Sequence, residues 1–286
     1  IWGLRSKLTL HPFPKTAFPS NPFRPLSPGG QARTSEPILP YTTAETMNAG
    51  WCWQIEHEHF INRGYVYSSS FISDEDALQE FRSKNPSIAT EPRIVKFRSG
   101  RYTRNWVGNV VAVGNSVGFV EPLEATAIQI IGVQISSLAD SLLDCLGEPT
   151  PTLIDLYNRF NAQAWDDIRD FLSIHYAFNT RFDTPFWVAC RQDTQLHGAQ
   201  PLVDFYRENG PSIVSGAQLL HSSNSFGMDG YLTLLLGQNV AHAKPYNPPL
   251  KEAEIWRNRS AKWHHDAQRG LTVAESLASI RKHGFK

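Results

Sequence analysis

Residues 106–147 read WVGNVVAVGNSVGFVEPLEATAIQIIGVQISSLADSLLDCLG. The first eight, Trp106 to Val113, are rich in β-branched and apolar side chains and predict one buried strand. Glycines at 114 and 118 mark a loop that ends in the acidic run Glu121-Pro122-Leu123-Glu124. A long helix is expected next, because Ile128, Ile131, Ile135, Leu138 and Leu142 recur at three- and four-residue steps and form one apolar stripe. Gly147 and Pro149 stop it.

Strand, glycine loop and helix together can cradle an anion or a cofactor. Glycine lets the backbone approach a ligand closely, and the free amides at a helix start attract negative charge. Glu124, at the mouth, is placed for proton work. The same pattern also describes a packing turn with an acidic cap, and chemistry alone does not separate the two.

Composition narrows the classes. With 286 residues, 41% hydrophobic and 12% aromatic, the chain can bury a sizeable core as one large domain or two small ones. A formal net charge of zero gives no reason to expect a nucleic-acid or membrane-surface partner. No apolar run approaches the ~20 residues of a transmembrane span. Cys52, Cys145 and Cys190 are widely spaced and odd in number, which fits reduced thiols in a cytoplasmic protein.

Upstream, residues 1–40 hold eight of the 19 prolines, five Lys or Arg and one acid, Glu36. Residues 1–34 are expected to be irregular. Trp51 and Trp53 alternate onto one face of a strand, and Gly64 to Phe71 reads as the next strand. Ser73 caps a short helix running through Phe81, with Asp76 three residues on. Arg93–Arg98 and Arg101–Val113 are expected to form a hairpin around Ser99-Gly100. Glu56-His57-Glu58-His59 puts His57 and His59 on one strand face. A metal site needs three or four ligands, no partner is identifiable by spacing, and a charged edge or hairpin is the better reading. Downstream, a helix is expected over 152–177, then short helical segments at 186–208, 211–221 and 228–239. A proline linker follows at 245–249, then helices over 252–268 and from Thr272, whose Glu275 completes a capping box.

The segment GNSVGFVEPLEATAI resembles the G-x-x-x-G-F-x-E-P-L-E-[SA]-T signature of the flavin-dependent halogenases, the tryptophan halogenase family. Gly50-Trp51-Cys52-Trp53-Gln54-Ile55 resembles that family's G-W-x-W-x-I-P motif, although Glu56 replaces its proline. His175-Tyr176 followed by Asp183-Thr184-Pro185-Phe186-Trp187 resembles a third family segment. The likeness covers residues 35–286 and leaves 1–34 as sequence foreign to the family.

That resemblance implies an α/β fold, α+β over the residues present. It is part of a hydroxybenzoate-hydroxylase-like flavin monooxygenase architecture, with an antiparallel sheet and a helical half that builds the substrate box. Residues 35–147 would belong to the flavin-side core and 148–286 to the substrate side. Glu124 would be the catalytic glutamate, and the backbone amides of Thr126 and Ala127 would hold the halide. Gly114, Asn115, Gly118 and Phe119 would lie against FAD, with Trp51 and Trp53 beside the tunnel. The implied chemistry uses reduced FAD from a separate flavin reductase, dioxygen, and chloride or bromide to halogenate an electron-rich indole, pyrrole or phenol. No metal is implied. Candidate pocket residues Phe186, Trp187, Phe226 and Tyr231 fit a plain core equally well.

Two family essentials are missing from these residues: the G-x-G-x-x-G dinucleotide fingerprint and a lysine in the family's catalytic motif. The chain alone is therefore expected to bind FAD weakly or not at all. The alternatives are a flavin-dependent aromatic monooxygenase of the same fold and a non-catalytic remnant. Without the family's first third, the 128–142 stripe would be partly uncovered.

Overall fold

A computed structural model describes residues 31–32, 38–88, 90–92, 94–95, 97, 99–245 and 247–284. Its main sheet has four strands in the spatial order β1 (Gln31–Ala32), β4 (Phe60–Tyr67), β3 (Gly50–Glu56), β2 (Thr43–Met47), every neighbouring pair antiparallel. Most of residues 1–34 lies outside the described residues. The pairing of Gln31 with Ile61 nevertheless places a short strand where only irregular chain is expected.

Alternation along β3 and β4 builds two apolar faces. On one side Met47, Cys52, Tyr65 and Tyr67 meet Phe81 of α1 (Asp74–Lys84). On the other, Trp51 and Val66 meet Tyr176, Phe186 and Trp187. Opposite Trp53 stands Gly64. A β-carbon at that glycine would fall 1.9 Å from the Trp53 ring, so the absent side chain is what lets the indole lie across the strand. Ser73 caps α1 through the Asp76 amide, as expected, and the helix runs three residues beyond Phe81. The strand expected at 64–71 begins earlier, at Phe60, and gives way to a turn after Tyr67.

The His57–His59 segment is the turn between β3 and β4. His57 stacks on Phe60, with ring centroids 4.3 Å apart, so the two histidines do not share a strand face. No group of three or more metal-ligating side chains occurs among the described residues.

Around the central stretch the structure departs from the single buried strand. Trp106–Val107 (β6) and Val110–Val111 (β7) form a tight hairpin across Gly108-Asn109. Gly108 takes φ +60°, the left-handed conformation that a two-residue hairpin loop demands. The expected hairpin at Ser99-Gly100 is also corrected. Gly100–Arg101 (β5) pairs with Gly118–Phe119 (β8), and Arg93, Lys96 and Arg98 of the expected partner strand lie outside the described residues.

Two long helices follow. α2 spans Ala127–Asp144 and α3 spans Pro151–Ala177. The 128–142 stripe faces the core only in part, through the half-buried Ile131 and Leu138. Ile128, Ile135 and Leu142 are 83%, 52% and 37% exposed, while Ile130 and Gln134 form the buried face. α3 is the spine of the molecule. Its Asn158 Oδ1 accepts from the Asn105 and Trp106 amides at 2.7 and 2.8 Å, and its Nδ2 donates to the Trp106 carbonyl at 3.0 Å. Asp166 receives both arms of Arg101, at 3.0 and 2.8 Å. Ala164, Trp165, Ile168 and Leu172 of α3 pack on Val117 and Ile130, each large side chain contributing roughly 1.5–3 kcal/mol by burial.

Further along, α4 (Pro185–Asp193), α5 (Gln200–Asn209), α6 (Ile213–Gly216) and α7 (Gly227–Gly237) surround the C-terminal part of α3. α8 (Leu250–Gln268) and α9 (Val273–His283) have no buried residues. α9 opens with the expected capping box of Thr272 and Glu275, and its Arg281 pairs with Glu58. No described helix is long and apolar enough to cross a membrane, and all three cysteines are free thiols.

Candidate active site

Glu121 begins a one-turn 3-10 helix, Pro122–Glu124, and caps it by accepting from the Leu123 amide at 3.1 Å. Ala125 then takes the left-handed conformation, φ +51°, with its amide on the Pro122 carbonyl. This kink re-aims the chain so that α2 starts afresh at Thr126. The Thr126 carbonyl accepts from Ile130, but the Thr126 and Ala127 amides have no acceptor among the described residues. Such unsatisfied first-turn donors are suited to a small anion. Ala127 is exposed, whereas Thr126 is buried, 6% exposed, so the two ends of the pair differ in their access to solvent.

Glu124, at the end of the 3-10 turn, is half-buried and lies 2.6 Å from His175 Nε2. His175, Leu123 and Trp51 line a cavity of about 360 Å³ together with Tyr176, Phe178 and Trp187. Among the described residues, Arg181 is the one guanidinium in that wall and no lysine lines it. Glu124 does not itself line the cavity; it reaches the edge through His175. Trp51 and Trp53 share a face as expected, with ring centroids 6.0 Å apart. Only Trp51 forms cavity wall, since Trp53 turns its Nε1 to Asn62 Oδ1 at 2.8 Å. Of the four aromatics named from sequence, Trp187 lines the cavity. Phe186 and Tyr231 are core, and Phe226 stacks on Phe171 with centroids 3.8 Å apart.

The glycine loop is committed to packing more than the sequence suggests. The buried Gly114 amide donates to Gln134 Oε1 at 2.6 Å. A β-carbon there would meet Ile131 at 2.6 Å, and one at Gly118 would meet Trp165 at 2.7 Å. Phe119 packs edge-on against Phe97. Asn115 and Ser116 form the exposed edge of the loop. The missing β-carbons of Gly114 and Gly118 thus make room for side chains of α2 and α3.

Two residues escaped the sequence reading as site members. His175 entered only as part of a family segment, and nothing in its spacing ties it to Glu124, 51 positions earlier. Glu121 is buried, and its Oε2 accepts from Trp51 Nε1 at 3.0 Å. Burial raises its carboxyl to about 7 against the lowering pull of its hydrogen bonds. The one available signal was a second acid three residues before Glu124.

An antiparallel sheet, a glycine loop and a glutamate at the start of a long helix define the class, a flavin-enzyme architecture of the halogenase type. The tryptophan halogenase family model matches residues 30–253, and the chain belongs to that family. It is 38% identical over 220 residues to the tryptophan 7-halogenase of Lentzea aerocolonigenes, which covers 73% of this chain and 41% of that enzyme. Among solved structures, a lanthipeptide tryptophan 5-halogenase superposes with a TM-score of 0.80 at 37% identity, covering 94% of this chain and 50% of the other. A flavin-dependent halogenase from Brevundimonas sp. BAL3 superposes with a TM-score of 0.77 at 27% identity, covering 88% and 51%. The chain thus spans about half the length of these relatives.

Proposed function

We propose that this chain carries the proton-handling and halide-binding part of a flavin-dependent halogenase acting on an electron-rich aromatic, with an indole as the leading substrate. The observation that carries the reading is the juxtaposition at the head of α2. Two amides with no acceptor among the described residues, Thr126 and Ala127, follow one residue after a carboxylate, Glu124, that is paired with a cavity-wall histidine.

Each residue then has a task. The Thr126 and Ala127 amides hold chloride or bromide by the positive end of the helix. Glu124, oriented by His175, accepts the proton that leaves the ring when halogen replaces hydrogen. Trp51, Tyr176 and Trp187 supply aromatic walls, and Arg181 offers a charge for an acidic group on the substrate. FAD, when bound and reduced by a separate reductase, would supply with dioxygen the oxidising power that turns halide into an electrophile. We assign the flavin contact within these residues to Asn115, whose exposure at the loop edge supports the reading. No G-x-G-x-x-G fingerprint occurs in these 286 residues, and the proposal assigns them neither a pyrophosphate cradle nor a catalytic lysine.

The test is a fusion of this chain to the fingerprint-bearing portion of a family member, supplied with reduced flavin, bromide and tryptophan. Brominated product supports the reading. Hydroxylated product, or hydrogen peroxide alone from a flavin-loaded fusion, contradicts it.

A further inference from the structure

Glu121 is the most deeply buried carboxylate near the cavity, 2% exposed. Its Oε2 accepts two hydrogen bonds at once, from Trp51 Nε1 at 3.0 Å and from the Leu123 amide at 3.1 Å. One donor is the cavity wall on β3; the other belongs to the turn that ends in Glu124. Capping a single 3-10 turn needs only one acceptor, which a short Ser or Asp supplies. The longer glutamate reaches past the turn to the indole. Burying a carboxyl costs free energy that an apolar residue would not, so packing alone gives no reason for an acid here.

We propose that Glu121 is a positioning residue whose single oxygen ties the Trp51 wall to the Pro122–Glu124 turn, so that the cavity wall and the Glu124 carboxylate are held as one unit. Its importance for turnover rests on the halogenase reading; the tie itself does not. The groups facing Glu121 are few. Trp51 comes from β3 and does not titrate. From α3 the Tyr176 hydroxyl faces the same carboxyl, with Cys190 of α4 behind it. From its own turn comes Glu124, paired in turn with His175. Burial dominates these influences and brings the Glu121 proton on and off at about 7. That places the titration where the tie can be watched without losing the fold.

The experiment is NMR of the 286-residue chain, following the Trp51 indole N–H (assigned with Trp51→Phe) and the Leu123 amide from pH 5.5 to 8.5. Both signals are expected to move together with one midpoint near 7. In Glu121→Gln, whose amide oxygen can accept both bonds, both protons are expected to stay slow to exchange with solvent while the shared movement disappears. In Glu121→Ala both are expected to exchange at least tenfold faster. Separate midpoints, a movement that persists unchanged in Glu121→Gln, or undiminished protection in a folded Glu121→Ala would each overturn the proposal. Should Glu121→Ala not fold, the wild-type and Glu121→Gln titrations decide alone. None of these readouts requires flavin or halogenation, so failure here is distinct from failure of the functional reading.

Discussion

His175 Nε2 stands 2.6 Å from Glu124 Oε1, an imidazole in the last turn of α3 against a carboxylate at the threshold of α2. The two side chains are 24% and 31% exposed, so the pair sits at a boundary between protein and solvent. Only the imidazole of this pair lines the cavity.

Removing the imidazole should therefore loosen Glu124 without disturbing the core. His175→Phe in the fused enzyme is expected to lower bromination by up to about 100-fold, the penalty typical of a misplaced catalytic group. Its melting temperature should change little. Product formation equal to wild type would show that Glu124 needs no partner.

The free amides at the helix start make a separate prediction. Titrating the chain with bromide should move the Thr126 and Ala127 amide signals along a saturating curve, while amides inside α2 shift little. A response no larger than that of exposed surface amides would remove the halide site from the account.

Gly118 tests the role of the loop. Gly118→Ala places a methyl 2.7 Å from the Trp165 ring, and Trp165 is 4% exposed in the core. Overpacking of this kind costs about 1–3 kcal/mol, so a clear fall in melting temperature is expected in the isolated chain, with no flavin present. An unchanged melting temperature would restore Gly118 to a purely cofactor-facing role.

Much of this arrangement was legible in the residues, for physical reasons that differ by element. Local signals read well: Ser73 and Thr272 cap their helices through their own neighbours, and α3 is a continuous period of apolar positions. Signals that depend on distant partners did not. The run Trp106–Val113 is apolar enough for one strand, but the Gly108-Asn109 pair folds it back on itself. The α2 stripe is the more apolar face of its helix, yet Ile130 and Gln134 are its most deeply covered residues and Ile131 and Leu138 are covered only in part, because α3 and the Gly114 loop approach from one side. Within the site, Glu124 was legible through its motif. Its partner His175 lies on another helix, and the depth of Glu121 depends on Trp51 arriving 70 residues earlier.

Stability should depend on pH through two carboxyls raised by burial, Glu121 to about 7 and Asp170 to about 6. An acid whose pKa is higher in the folded state binds its proton more tightly there, so it favours folding below its unfolded value. That advantage is lost as pH rises through the folded one. Thermal stability is thus expected to fall between pH 5 and 8 from these groups. Glu121→Gln should flatten the part of the curve centred near 7, melting higher than wild type at pH 8. A wild-type curve that rises over this range and is unaltered by Glu121→Gln would contradict the assignment.

The role of Glu124 is tested most directly by Glu124→Gln in the fused enzyme, with brominated tryptophan measured by mass and flavin affinity measured in parallel. Loss of a group that takes the ring proton should cut bromination by about 100-fold or more and leave flavin binding unchanged. Turnover equal to wild type, with flavin bound as before, would contradict it.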